Sequence, residues 1–374
     1  MVVFLFLLSL GFAALGGLTV FKSPAWSKWQ LALLVGEYGH TVVWVPPVLG
    51  FLTWRMRGGF DPMVGSVLAL NLLALALLLK PTVQAWFVGR ALPARLERAF
   101  GAVPLGRPAF SCAAWLRRAP RRVVPQTHGY AAGLALDFYP AVGRTQAPCV
   151  VLIHGGGWDS GDKSQLAHFN HWLAQRGYAV AAISYRLAPQ FNWPAQRDDI
   201  LAAIAWLKAH AATLGIDATR LVLLGRSAGG NLAETVGYTA QDPAIRGVAA
   251  LYAPADLDFA WTSPMDNDPL NSPLLMRQFL GGSPDEVPGA FKSASGIHEV
   301  TAATPPTLLL HGRLDTLVWY RQSERLAARL DEAGVSNVFV SLPWATHAFE
   351  FNLNGPGGQL TTYALEWFLA AVTK

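Results

Sequence analysis

Gly225-Arg226-Ser227-Ala228-Gly229 is where this sequence is best equipped for chemistry. Residues 220–224 read as an apolar strand and a helical pattern opens at Ala228, so the serine stands on the turn between them. Flanking glycines, lacking Cβ, let strand and helix approach while the hydroxyl points into a cleft, which makes Ser227 the candidate nucleophile. A serine hydroxyl attacks poorly until a base takes its proton, and the base needs a carboxylate to orient it. Downstream of Ser227 the histidines are His298, His311 and His347. His347 lies just beyond the last expected strand, where a loop can carry it to the serine, and is the candidate base. Asp315, in His311-Gly312-Arg313-Leu314-Asp315, follows the preceding strand and is the expected acid; Asp256, after the strand ending at Tyr252, is the alternative. His154-Gly155-Gly156-Gly157-Trp158 follows another apolar run, and successive glycines let backbone N–H groups turn inward. Gly156 and Gly157, with the Ala228 N–H at its helix start, are the expected oxyanion donors.

Such residues need a scaffold whose strand ends converge. Strands are expected at residues 121–128, 134–139, 149–153, 179–184, 220–224, 247–252, 306–310 and 337–342. Between them, helical patterns run over 164–176, 198–214, from 228, over 320–333 and over 358–372. The alternation implies an α/β class: a mostly parallel sheet with helices on both faces, its chemistry gathered at the carboxyl ends of the strands.

The first quarter has a different composition. The 374 residues are 52% hydrophobic and 14% charged, too apolar for an ordinary soluble chain. The first charged residue is Lys22, and charge reaches ordinary density only near Arg90. Residues 2–21 hold no charge and, at about 1.5 Å per residue, match a hydrocarbon core of roughly 30 Å. With 30–54, flanked by Trp29 and Trp54, and 62–79, they are expected to form three transmembrane helices. Residues 1–89 thus read as a membrane anchor, 90–120 as a basic amphipathic connector and 121–374 as the catalytic domain. Lys22, Lys28, Arg90, Arg95 and Arg98 outweigh Arg55 and Arg57 across the expected spans, which puts that domain on the cytoplasmic side. Glu37 and His40, neighbours on one face of the second span, are expected to lean toward the interface or bond to Asn71. The net charge of +5 comes from arginines between Arg90 and Arg122 and implies anionic membrane lipid as a partner, not nucleic acid. Cys112 and Cys149 fit neither a metal site nor a disulfide framework, and no metal or cofactor is expected.

From residue 121 to the end the sequence resembles the Gly-Gly-Gly-Trp branch of the α/β-hydrolases, including hormone-sensitive-lipase-like esterases and bacterial feruloyl-esterase-like carboxylesterases. The resemblance rests on His154 to Trp158 with Ser160-Gly161-Asp162-Lys163, on Ser184-Tyr185-Arg186-Leu187-Ala188-Pro189, on Gly225 to Gly230 and on His311 to Asp315. It implies the α/β-hydrolase fold and hydrolysis of a small-molecule or lipid ester through an acyl-enzyme on Ser227. Relatives that include kynurenine formamidase and membrane-bound methylesterases leave amide hydrolysis or acyl transfer as alternatives; a non-catalytic membrane scaffold is an alternative of another class. Two residues depart from the pattern: Arg226 stands where relatives often carry Asp, Glu or His, and Ala348 where they often carry glycine. Arg226 is expected to pair with a nearby carboxylate. Residues 257–298, rich in apolar side chains and broken by Pro264, Pro269, Pro273 and Pro288, read as a small cap that favours a hydrophobic substrate group.

Overall fold

The structure, a computed structural model, describes residues 1–23, 26–263 and 268–374. The N-terminal region folds into four helices: α1 (Val2–Gly17), α2 (Trp26–Tyr38), α3 (Val45–Arg57) and α4 (Pro62–Phe100). The second expected span is therefore broken. Helix α2 stops before a 3₁₀ turn over Gly39–Thr41, and α3 starts afresh with Pro46 and Pro47 in its first turn, where missing N–H groups cost nothing. Of the three expected transmembrane helices, only α4 is long and apolar enough to cross a membrane among the described residues; α1 has 16 residues.

Helix α4 also crosses the expected boundary at residue 89. It runs for 39 residues through Pro81 and Pro93, and its two halves have different surroundings. In the first half Leu72 and Leu73 are exposed while Thr19 Oγ1, just beyond α1, reaches the Leu77 carbonyl at 3.1 Å. In the second half Ala85, Leu92 and Leu96 are fully buried among residues of the globular domain. A Cβ on Gly89 would lie 3.0 Å from Phe110 Cβ, so the helix approaches the following chain closely there.

The remaining chain forms an eight-stranded sheet. Its elements are β1 (Gln126–Ala131), β2 (Leu134–Tyr139), β3 (Ala147–Ile153), α5 (Ala167–Gln175), β4 (Ala179–Ile183), α6 (Ala195–Ala209), α7 (Ala211–Leu214), β5 (Ile216–Arg226), α8 (Ala228–Thr239) and β6 (Ile245–Leu251). They are followed by α9 (Leu257–Thr262), α10 (Ser272–Leu280), α11 (Pro288–Ser293), β7 (Thr307–Gly312), α12 (Arg321–Glu332), β8 (Asn337–Leu342) and α13 (Pro356–Val372). The strand order is β1-β2-β4-β3-β5-β6-β7-β8, antiparallel at β1–β2 and β2–β4 and parallel elsewhere.

Composition explains the layering. All seven residues of β3 are buried, as a central parallel strand covered on both faces requires. One face is covered by α6, α8 and α12, whose Ile204, Leu232 and Leu326 enter one core. The other is covered by α5, α13 and the second half of α4. Part of the expected anchor is thus a layer of the domain. The cap region holds α9, α10 and α11; Pro264 and Met265, which belong to it in the sequence, lie outside the described residues.

Candidate active site

Ser227 lies between β5 and α8 with φ 51° and ψ −123°, a conformation unfavourable for a residue with a Cβ. Its neighbours hold it there: the Ser227 N–H donates to the Leu251 carbonyl of β6 at 2.9 Å. A Cβ on Gly225 would collide with the Gly229 carbonyl, and one on Gly229 with the carbonyls of Ile153 and His154. The glycines of the pentapeptide are therefore what let β5, α8 and β3 meet.

The expected acid and base are together. His347 Nδ1 lies 2.7 Å from Asp315 Oδ2, and Asp315 Oδ1 accepts from the N–H groups of Leu317 and Val318 at 2.8 and 3.0 Å. Burial alone would raise the Asp315 carboxyl, but the charge of His347 and hydrogen bonds from His311 and His347 outweigh it and hold the group well below the usual carboxylate range. An ionised Asp315 fixes the His347 proton on Nδ1 and leaves Nε2 free to act as a base. His347 and Ser227 line the same cleft, with Gly156 and Gly157.

Asp256, the alternative acid, is engaged elsewhere. Its carboxylate caps α9 through the Phe259 N–H at 2.9 Å and binds Arg325 at 2.7 Å. It also forms, with Asp258 and His298, the one group of metal-ligand type among the described residues, but two of its members are partly or fully exposed and the third is held by Arg325. His311 buttresses Asp315 from 3.3 Å; its Nε2 faces the Val318 carbonyl and its Nδ1 the Ser323 hydroxyl.

Glycine conformation shapes the opposite wall. Gly156 has φ 122° and Gly157 φ 59°, and a Cβ on Gly156 would strike the Ser160 carbonyl. The Gly155 N–H is engaged by Gln165 at 3.0 Å, whereas Gly156 and Gly157 donate no hydrogen bond among the described residues. Their N–H groups, with that of Ala228 in the first turn of α8, can receive a developing negative charge. Trp158 is stacked on Phe279 of α10 and donates to Asn231 of α8, tying this loop to the cap.

Several contributors had little signal in the sequence. Arg226 is buried and pairs with Glu350 at 2.8 Å, the expected partnership with a carboxylate, and its guanidinium lies over the Phe169 ring. Tyr252, with ring centroid 4.2 Å from that of His347, donates to the same Glu350 oxygen; burial and Glu350 keep its phenol protonated. Trp29 of α2 lines the cleft and stands edge-on to His347 at 6.5 Å. Glu37 reaches neither the interface nor Asn71. It is buried against Trp344, Gly357 and Gly358, while His40 stacks on Trp115. Arg226 adjoins Ser227 in the sequence, but only tertiary structure brings Tyr252, Glu350 and Trp29 to the site.

A second pocket also reaches Ser227 and shares Gly157, Leu275 and Leu317 with this cleft; Leu257, Phe259, Met276 and Trp319 line it further. Its walls are mostly apolar and come from the cap and from the loop after Asp315.

Comparison with known proteins points the same way. The chain is 32% identical over 238 residues to the probable carboxylic ester hydrolase LipM of Mycobacterium tuberculosis, covering 60% of this chain and 54% of that one. It is 31% identical over 223 residues to esterase LipQ of the same organism, covering 56% and 52%. The chain thus spans about half the length of these relatives. A bacterial heroin esterase structure superimposes with TM-score 0.61 at 24% identity, over 76% of this chain and 92% of that one, a likeness of fold. These strand ends carry the α/β-hydrolase architecture, and because the family model matches residues 136–330, just over half of the chain, this protein belongs to the BD-FAE family.

Proposed function

We propose that this protein is a membrane-associated serine carboxylesterase. Ser227 attacks the ester carbonyl while His347 takes its proton, and Asp315 holds and stabilises the imidazolium. The N–H groups of Gly156, Gly157 and Ala228 bind the oxyanion. Collapse expels the alcohol, protonated by His347, and water then releases the acid from the acyl-enzyme by the same steps. The observation that carries this reading is the 2.7 Å contact of His347 with a buried Asp315 beside a serine held on a strained turn in the same cleft. The apolar pocket at Ser227 favours an ester with a hydrophobic acyl or alcohol group.

Membrane association rests on the N-terminal helices. The first half of α4, about 27 Å from Pro62 to Leu79 at ~1.5 Å per residue, nearly matches a hydrocarbon core. Phe4, Leu7, Phe51, Leu52, Leu72 and Leu73 are exposed on α1, α3 and α4, an apolar surface that lipid would cover. Lys80, Arg90, Arg95 and Arg98 on the domain side favour a cytoplasmic catalytic domain.

The test is hydrolysis of p-nitrophenyl esters from acetate to palmitate by the detergent-solubilised full chain, beside Ser227→Ala. Serine-dependent turnover is expected, with Ser227→Ala reduced on the order of 10⁵-fold or more. Turnover unaffected by the substitution would refute the assignment of the nucleophile.

A further inference from the structure

His347 is carried by a loop, residues 343–355 between β8 and α13, and a loop is a poor place from which to aim a general base. One side of this loop is fixed from within the domain, where Glu350 is held by Arg226 and Tyr252. The other side is held from outside it, by Glu37 of α2. Glu37 Oε1 accepts from the Trp344 indole N–H at 3.4 Å, at the start of the loop, and its Oε2 accepts from the Gly357 N–H at 2.9 Å, just past the end. Gly358 N–H lies 3.5 Å from the same oxygen, and the Glu37 carbonyl accepts from the Asn352 side chain at 3.1 Å. The carboxylate thus bridges both ends of the loop, with His347 between them.

The fit is specific. Glu37 is 1% exposed, and a Cβ on Gly357 would come within 2.7 Å of its Oε1. Among the described residues every hydrogen-bond partner of the Glu37 carboxyl oxygens is a donor, two of them at the start of α13. Two turns earlier on the same face of α2, Trp29 meets the His347 ring. A helix that would otherwise be only part of an apolar N-terminal region therefore reaches the base at one point and holds its loop at another.

We propose that Glu37 is a positioning residue for the reaction: it staples the 343–355 loop closed and so sets the distance and angle from His347 to Ser227. The proposal rests on the serine-esterase reading. Errors of about 1 Å in the placement of a catalytic group can cost on the order of 100-fold in rate, and that sensitivity provides the test.

Glu37→Gln keeps the volume and one acceptor oxygen, and Glu37→Leu keeps roughly the volume and no acceptor. In the detergent-solubilised full chain, Glu37→Leu is expected to lower kcat about 10- to 100-fold with KM within about twofold, and Glu37→Gln to recover part of the loss. The rate of fluorophosphonate labelling of Ser227 should fall in the same order, because that reaction also needs His347. If Glu37→Leu does not fold, Glu37→Gln decides. Wild-type kcat and labelling rate in folded Glu37→Leu, or in Glu37→Gln where Glu37→Leu does not fold, would overturn the proposal, and so would failure of both to fold, which would make Glu37 a residue of the scaffold alone. Wild-type chain that labels with fluorophosphonate but turns over no ester would defeat the esterase reading while leaving the labelling comparison to judge Glu37.

Discussion

Asp315 shows how the desolvation cost of a buried charge can be offset. The carboxylate has no exposure, yet two backbone N–H groups and two imidazoles meet it, so its ionised form is favoured over its protonated form. Its folded-state pKa therefore lies below the unfolded value of about 3.9. The resulting stabilisation is fully present above that unfolded value and is lost as pH falls from about 4 toward the folded pKa. Asp315→Asn should remove this part of the acid slope, read as the change in unfolding midpoint between pH 6 and pH 3. At pH 7 the same substitution should cut kcat on the order of 10³- to 10⁴-fold, since an amide can favour the wrong imidazole tautomer. A fall below tenfold would mean that another carboxylate orients His347.

Residues of this kind were legible in the sequence because their chemistry is written locally. The pentapeptide around Ser227 and the glycines after His154 each announce a turn that only such residues can make. Tyr252 and Glu350 carry no such mark: each is an ordinary side chain until β6 and the loop after β8 bring it beside His347.

Helix α2 makes the same point for whole elements. Its residues Trp29, Ala32, Leu33 and Val35 are apolar and buried, and by hydropathy alone a helix buried in protein and one buried in lipid look alike. Trp29 and Leu33 instead meet Leu317 of the loop after Asp315. The break that separates α2 from α3 falls inside the expected second span, at Gly39 and ahead of the Pro46-Pro47 pair, and Glu37 just before it finds its partners at α13. The strands were more legible, because burial on both faces leaves an unbroken apolar run such as that of β3. If α2 is a wall of the cleft, Trp29→Ala should widen it: KM for short p-nitrophenyl esters should rise several-fold, and the chain-length optimum should move to longer acyl groups. An unchanged profile across the series would show that substrate does not touch α2.

At the scale of the whole molecule, exposed apolar surface and globular domain share one helix. The first half of α4 presents Leu72 and Leu73 outward, while its second half buries Leu92 and Leu96 beneath the sheet; Arg95 reaches the Phe339 carbonyl of β8, and Arg107, beyond the helix, pairs with Glu366 of α13. Full-length protein should accordingly sediment with phosphatidylcholine–phosphatidylglycerol vesicles and stay there in 1 M salt, because burial of apolar surface is not screened as surface charge is. Release by salt alone would reduce the attachment to the basic residues. On a bilayer, a helix continuous from its exposed apolar half into the domain would hold the enzyme's cleft close to the surface and limit its excursions toward the bulk. Its supply of substrate would then be two-dimensional. Turnover would track the mole fraction of ester in the surface, and diluting that ester with inert lipid at constant total concentration would slow the enzyme.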